Sequence, residues 1–323
     1  MKHMTKAALA ATIALCAVGT AEAQDDIRIG AIYMDAQGFY AGVRQGIQDA
    51  AAEAGRDLEI IETNAQGDVA QESSFMDALI AANVDAIITS PVSADGSYRS
   101  IQRAHDAGIP VICYNTCLSE ADMEEFVSAY TVGDPFDFGN MLGLAAADYF
   151  EAEGITAPKI AVLNCEFVEV CITRREGFEA ALADRGIDYE IVANQEGAIL
   201  DNAISVASNI LTANPEFDAI FGEAGGATLG AARAIRSQGR VGEVVVFGGD
   251  MTTEIAQELE EHDVIKAVVD ISGQGMGRLA FEQAVNVIEG NPPEGIKVPY
   301  EIDLYASSED GAGWQEAHPN GIP

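Results

Sequence analysis

The chain has 323 residues, of which 48% are hydrophobic and 21% are charged, a balance typical of a globular protein with a sizeable core. Its length exceeds what a single hydrophobic core usually serves, so we expect two domains. Seventeen lysines and arginines against 52 acidic residues give a formal net charge of -35 at pH 7. This charge disfavours nucleic acid and anionic lipid as partners.

The first residues have the pattern of an export signal. A short basic start precedes an apolar run at 7–18, which is shorter than the about 20 residues that cross a bilayer. Ala21-Glu22-Ala23 then forms a small-residue cleavage site. We predict a signal peptide over residues 1–23, a mature chain from Gln24 and a periplasmic location. The alternatives are an uncleaved anchor and a lipoprotein on Cys16, although the preceding Leu15 is large for that modification.

Strand and helix patterns alternate along the first half of the mature chain. The predicted strands are Ile27–Tyr33, Leu58–Thr63, Asp85–Pro91 and Pro110–Cys113, and the predicted helices are Phe39–Gly55, Val69–Ala82 and Ser97–Gly108. Continuous apolar strands that alternate with helices indicate a parallel sheet covered on both faces.

The same alternation restarts near residue 134 and continues to residue 289. The predicted helices are Asp134–Glu153, Arg174–Arg185, Asn202–Ala213, Ala227–Gln238, Ile255–Glu261 and Gly275–Glu289. The strands between them are Lys159–Asn164, Tyr189–Ala193, Phe217–Phe221, Val244–Gly248 and Ile265–Ile271. We expect an irregular tail after Pro299. The fold class is therefore α/β with two doubly wound parallel sheets, in which ligands bind at the carboxyl ends of the strands.

Several catalytic and cofactor patterns are absent from the sequence. No G-x-x-x-x-G-K-[ST] or G-x-G-x-x-G motif opens a helix, and no nucleophile stands beside a recognisable base. We therefore predict a protein that is not an enzyme, with no cofactor and no metal.

Four cysteines remain after the predicted cleavage: Cys113, Cys117, Cys165 and Cys171. In an oxidising periplasm they are candidates for disulfide bonds, and three pairings are possible. A zinc site of four thiolates is the alternative, but the C-x3-C and C-x5-C spacings suit zinc poorly.

A series of short motifs carries a family resemblance. They are Gly38-Phe39-Tyr40, Ser90-Pro91, Ile109-Pro110-Val111-Ile112, Arg174-Arg175-Glu176-Gly177-Phe178, Leu211-Thr212-Ala213-Asn214-Pro215, Leu229-Gly230-Ala231 and Gly249-Asp250. In this order and spacing the chain resembles the ribose- and galactose-binding family of type I periplasmic binding proteins over essentially its whole mature length. The resemblance implies two lobes joined by three hinge crossings. We place one lobe at 24–132 plus 271–299 and the other at 133–270 plus 300–323.

The resemblance also implies ligand contacts on the loop after the first strand. Phe39 and Tyr40 can stack on the apolar faces of a sugar ring, and Tyr40 keeps a hydroxyl for hydrogen bonding. Gln37 corresponds to a polar contact of the family. For Phe39, a hydrophobic staple at the helix start is the alternative.

Three charged residues complete the expected site in the second lobe. Arg174 stands at the position of a ligand-binding arginine in the family, and its guanidinium presents fixed donors. The alternative for Arg174 is a surface ion pair. Asp250 follows a buried strand and either accepts hydrogen bonds from hydroxyls or caps the next helix. Asp270 falls near a lobe crossing and is the third candidate.

The expected site departs from the family pattern at two places. Asn115 and Thr116 stand where the family usually has an Asp-Arg pair, and Glu223 and Ala224 replace a polar pair. Asn115 still offers a donor and an acceptor, so we expect a polyol or an unusual sugar. Since a disulfide between lobes would lock the cleft, the resemblance favours the pairs Cys113–Cys117 and Cys165–Cys171.

Taken with the resemblance, the sequence predicts the substrate-binding component of an ABC importer, which closes around a sugar or sugar-like polyol and docks on a membrane permease. We expect a monomer that binds no nucleic acid. The alternative is a periplasmic sensor that delivers its ligand to a chemoreceptor or a sensor kinase.

Overall fold

The computed structural model describes residues 27–55 and 58–323. The predicted signal peptide, residues 1–23, therefore lies outside the described residues. Within those two ranges, no helix is long and apolar enough to cross a membrane.

Strands and helices alternate from the first described residue. The first elements in chain order are β1 (Ile27–Tyr33), α1 (Phe39–Glu53), β2 (Leu58–Asn64), α2 (Val69–Ala82), β3 (Ala86–Thr89), α3 (Ala94–Asp106), β4 (Val111–Tyr114), α4 (Glu120–Phe126) and β5 (Ala129–Gly133). Every residue of β3 and β4 is buried. This full burial is expected of strands that helices cover on both faces.

The chain then builds a second set of elements. They are α5 (Pro135–Glu153), β6 (Lys159–Asn164), α6 (Glu169–Asp184), β7 (Glu190–Glu196), α7 (Leu200–Ala213), β8 (Ala219–Gly222), α8 (Gly225–Ser237), β9 (Val245–Gly249), α9 (Thr253–Glu261) and β10 (Ile265–Asp270). The last elements are α10 (Gly273–Ile288), β11 (Lys297–Tyr300), β12 (Asp303–Tyr305) and α11 (Ser308–Ala317).

These strands form two six-stranded sheets with matching orders, β2-β1-β3-β4-β5-β11 and β7-β6-β8-β9-β10-β12. All neighbours are parallel except β10 and β12, which are antiparallel. We call each sheet with its helices a lobe, and the first lobe contains β1. The chain passes between the sheets three times, after β5, β10 and β11.

The predicted α/β class with two doubly wound sheets is confirmed. The strand order reverses between β1 and β3 and between β6 and β8, which is where such sheets bind ligands.

The expectation of an irregular tail after Pro299 is wrong. The tail contains β12 and α11, and α11 begins with a capping box in which Ser307 and Asp310 bond each other's backbone N–H groups. The α11 residue Trp314 is only 2% exposed, so the tail belongs to the second core. The sequence patterns also missed α4 and β5, which are too short for their periodicity to stand out.

Two glycines allow α5 and α6 to pack closely. A Cβ at Gly139 of α5 would overlap the backbone carbonyl oxygen of Arg174, and a Cβ at Gly177 of α6 would overlap that of Phe136. At these two positions the helices therefore contact each other through backbone atoms, and there is no room for a side chain between them. This packing sets the position of the helix that carries Arg174.

We expect Gly139→Ala to destabilise the protein by about 1–3 kcal/mol, because a methyl group forced into a filled interface displaces the backbone. Gly313→Ala is the matched control, since Gly313 lies in α11 with open space around its Cα. There alanine should leave stability unchanged or raise it by up to about 1 kcal/mol. Urea denaturation measures both variants. Equal stability of Gly139→Ala and the wild type would contradict the packing argument.

Candidate functional site

A cavity of about 380 Å³ lies between the two lobes, where the carboxyl ends of both sets of strands meet. We call it the central cavity. The first lobe lines it with Met34, Asp35, Phe39, Tyr40, Gly67, Val92, Ser93, Asn115 and Thr116. The second lobe contributes Cys165, Phe167, Val168, Val170, Cys171, Arg174, Glu196, Ala198, Ile199, Ala224 and Asp250. Small-molecule sites usually measure about 300–1,000 Å³, so the central cavity has room for one small ligand.

Arg174 is buried in this wall, with 4% of its surface exposed. Its Nη1 donates to the carbonyl oxygen of Glu223 at 2.7 Å, and its guanidinium lies over the Phe138 ring at 4.0 Å. Its Nη2 donates across the cleft to Oδ1 of Asn115 at 3.4 Å. These contacts exclude the surface ion pair and direct Nη2 toward the first lobe.

Asn115 directly follows β4 and adopts a left-handed backbone conformation, with a φ of 58°. Its Nδ2 donates to the hydroxyl of Tyr40 at 3.4 Å, and its carbonyl oxygen accepts from the hydroxyl of Tyr130 at 2.8 Å. The Cys113–Cys117 disulfide closes the loop that contains Asn115. The loop thus holds a donor and an acceptor at the wall of the cavity.

Asp250 is the counterpart of Asn115 in the second lobe. It directly follows β9 and also has a left-handed backbone, with a φ of 59°. Its Oδ2 accepts from the N–H of Gly225 at 2.9 Å, and Thr252 caps α9 instead. Desolvation raises the pKa of Asp250, and the nearby charge of Arg174 opposes that shift. Asp250 is therefore an acceptor in the cavity wall that bonds the first N–H group of α8, and it does not cap α9.

The aromatic residues of the first lobe meet beside Asn115. The rings of Phe39 and Tyr40 lie edge to face with centroids 5.3 Å apart, and Phe39 is 7% exposed. Burial raises the pKa of Tyr40 to about 12, so its hydroxyl keeps its proton and can donate. Phe39 packs into the core while it also lines the cavity.

Both predicted disulfide pairings are confirmed, and each lies within one lobe. The Cα atoms are 5.6 Å apart in Cys113–Cys117 and 5.5 Å apart in Cys165–Cys171. The second disulfide lines the central cavity and bridges the turn that leads into α6. With all four cysteines of the described residues oxidised, no thiolate is left for a zinc site.

Glu223 lies behind this disulfide and is fully buried. Its Oε2 accepts from the N–H of Cys165 at 2.9 Å, while its Oε1 has no hydrogen-bond partner among the described residues. Desolvation raises the pKa of Glu223 to about 8. At neutral pH the side chain is mostly protonated. Glu223 directly follows β8, and it connects the disulfide loop, through Cys165, with Arg174, which donates to its carbonyl oxygen.

The other predicted site residues lie at different depths. Thr116 lines the central cavity, but its hydroxyl bonds Ser90 at 2.7 Å and the carbonyl oxygen of Pro91 at 2.8 Å. Asp270 lines none of the described cavities. It is 5% exposed, its Oδ1 accepts from the N–H of Met251 at 2.8 Å, and its pKa is raised by burial to about 7. Asp270 therefore supports the loop of Asp250 from behind.

Gln37 is exposed and lines a second cavity of about 350 Å³, which we call the side cavity. The side cavity shares Asp35, Phe39, Tyr40, Ala198, Ala224 and Asp250 with the central cavity. The two cavities therefore adjoin each other, and residues of both lobes line each of them.

The sequence patterns missed several residues of the central cavity, among them Asp35, Phe167, Glu196 and Ile199. Asp35 lies just beyond β1 and Glu196 ends β7, so the rule that ligands meet strand ends would have flagged both. Phe167 and Ile199 lie in loops with 43% and 52% exposure. Only the arrangement of the lobes brings these two side chains to the cleft.

Two of the buried acids, Asp270 and Glu223, predict a pH dependence of stability. Their pKa values are about 3.9 for Asp and about 4.3 for Glu in an unfolded chain, and folding raises those of Asp270 and Glu223 to about 7 and about 8. The folded chain retains protons that the unfolded chain releases, so stability should fall as the pH rises from about 4 to about 8. The ion-paired Glu62, whose pKa is lowered, titrates below that window.

Urea denaturation at pH 5 and pH 8 measures this effect. We expect the fall in stability to be smaller in Glu223→Gln than in the wild type, whereas the exposed Glu124→Gln should follow the wild type. A fall of the same size in Glu223→Gln and the wild type would show that Glu223 ionises normally.

Comparisons with known proteins agree with this geometry. A family profile described as "Periplasmic binding protein domain" matches residues 30–292. The chain is 55% identical to the ABC transporter periplasmic-binding protein YphF of Escherichia coli, over 98% of this chain and 96% of that protein. It is 24% identical to the ribose import binding protein RbsB of Salmonella typhimurium, over 92% and 96%.

Solved structures show the same fold. A galactofuranose binding protein superimposes with a TM-score of 0.82 at 18% identity, over 91% of this chain and 99% of that chain. The matching family consists of binding components, not of enzymes. The chain therefore belongs to the periplasmic binding protein family, as a substrate-binding protein of an ABC transporter.

Proposed function

We propose that this protein captures a small sugar or sugar-like polyol in the central cavity and presents it to the permease of an ABC importer. The observation that carries the proposal is the group of polar side chains that meets across the cleft. Tyr40 and Asn115 come from the first lobe, and Arg174 and Asp250 come from the second.

The chemistry of this group suits hydroxyls. A hydroxyl both donates and accepts, and the wall offers Arg174 as a donor, Asp250 as an acceptor, and Asn115 and Tyr40 as both. Phe39, Phe167 and Val168 provide apolar surface for the C–H faces of a ring. Micromolar capture requires about 8 kcal/mol. A few hydrogen bonds to charged groups, at about 1.5–3 kcal/mol each, together with burial of the ring supply energy on that scale.

The names of similar proteins support the same ligand class. The Salmonella protein is named for ribose, and the structural neighbour is named for galactofuranose. Both are sugars, although Asn115 and Ala224 alter two places of the expected sugar pattern. The comparisons favour import, and they add no support to the sensor alternative.

The mechanism is a hinge closure. The lobes are taken as 24–132 plus 271–299 and 133–270 plus 300–323, joined by the three chain crossings. Closure brings Arg174 within hydrogen-bond distance of Asn115, and it brings Ile199 toward Gly67 at the cavity edge. A ligand between the lobes gains contacts from both of them only in the closed form, so it shifts the population toward that form.

We infer that a signal peptide is cleaved after Ala23 and that the mature protein works in the periplasm as a monomer. The net charge of -35 disfavours nucleic acid as a partner. The ligand is a small molecule, and the permease is the macromolecular partner.

Isothermal titration with D-ribose, D-galactose, xylitol and myo-inositol tests the ligand class. We expect at least one of these compounds to bind, and Arg174→Ala to weaken its binding by about 10- to 100-fold, because one or two hydrogen bonds to a charged donor are lost.

Arg175→Ala is the matched control for that variant. Arg175 follows Arg174 on α6 but pairs with Glu166 and Glu179 outside the central cavity. Its loss should change affinity less than twofold, and circular dichroism should show that both variants are folded. Binding by none of the four compounds would contradict the ligand class, and equal effects of the two substitutions would contradict the site.

A further inference from the structure

The side cavity is nearly as large as the central cavity and adjoins it. Its volume is about 350 Å³ against about 380 Å³, and the two share six wall residues. Both lobes line it, since Gln37 belongs to the first lobe, and Leu229, Arg233 and Glu254 belong to the second. A ligand that fills only the central cavity leaves this space to water.

Three polar side chains of the side cavity have no partner among the described residues. Arg233 forms no ion pair or side-chain hydrogen bond with any described residue, although acids outnumber cations threefold in this chain. The side chains of Gln37 and Glu254 likewise make no hydrogen bond within residues 27–55 and 58–323. Three groups that can donate or accept therefore line the space between the lobes.

Apolar side chains lie beside these polar groups. Leu200 and Leu229 line the side cavity, and Phe39 forms part of the wall that it shares with the central cavity. A lining of polar and apolar side chains suits a hydroxylated ring, which has C–H faces and a polar edge.

The charges of the wall disfavour an anionic occupant. Asp35, Asp250 and Glu254 line the side cavity together with a single cation, Arg233. An anionic group would meet three carboxylates against one guanidinium. A hydroxyl both donates and accepts, so a neutral hydroxylated unit can bond the carboxylates and the guanidinium alike.

We propose that the ligand consists of two joined hydroxylated units, as in a disaccharide or a glycoside of a polyol. One unit occupies the central cavity and the second occupies the side cavity, where Gln37, Arg233 and Glu254 bond its hydroxyls. This inference rests on the proposed function and extends it, and it gives Gln37 a place in ligand binding that the central cavity does not offer.

Isothermal titration with matched pairs of compounds tests the inference. The pairs are D-galactose with melibiose, D-glucose with trehalose, and myo-inositol with galactinol. We expect the two-unit compound of at least one pair to bind at least tenfold more tightly than its one-unit partner.

Variants of the side cavity sharpen the test. Arg233→Ala and Glu254→Ala should lower the affinity for the two-unit compound at least fivefold and leave that for the one-unit compound within twofold. Both residues are exposed, so both variants should fold. Arg99→Ala is the control, since Arg99 is an exposed helix arginine that lines none of the described cavities.

The outcomes separate the two proposals. If the one-unit compounds bind as tightly as their two-unit partners, or if Arg233→Ala and Glu254→Ala weaken both equally, the two-unit ligand is wrong and the proposed function stands. If no compound of either size binds, the sugar and polyol class itself fails, and the two-unit ligand fails with it.

Discussion

The buried guanidinium of Arg174 is the charge around which the cleft is arranged. A desolvated cation is costly unless nearby groups compensate it, and here a carbonyl oxygen of Glu223 and the ring of Phe138 do so within the second lobe. Its remaining bond reaches Asn115 in the first lobe at 3.4 Å. Arg174 thus stabilises the wall of one lobe and bonds the other lobe only when the two lobes are close together. A cleft that closes on its ligand requires such a contact.

Backbone conformation places the other polar groups. Asn115 and Asp250 each follow a buried strand and each adopt a left-handed conformation, which Asn and Asp tolerate better than most side chains. The sharp turn aims both side chains at the cleft. A disulfide closes the loop of Asn115, and a second one bridges the approach to α6. The loop of Asn115 and the segment that leads into α6 are therefore constrained before a ligand arrives, which lowers the entropy lost on binding.

Much of this arrangement could be predicted from the sequence. The alternation of apolar strands and helices predicted two doubly wound sheets, and the position of Asp250 after a strand placed it near the cleft. The family resemblance placed Arg174 there, although the predicted helix start at Arg174 is wrong, since α6 begins at Glu169. The depth of each side chain could not be predicted in this way. Asp270 looks equivalent to Asp250 in the sequence, yet it bonds Met251 behind the wall. Glu223 looked like an altered ligand contact, yet it is fully buried. Ile199 reaches the cleft only because the two lobes face each other.

The central claim is that both lobes bind one ligand through the group that meets across the cleft. The most direct test is a crystal structure of the protein with the compound that binds most tightly in titration. We predict ligand oxygens within about 3.2 Å of Arg174 or Asp250 on one side and of Asn115 or Tyr40 on the other. A ligand that contacts one lobe alone, or that lies outside the central cavity, would contradict the account.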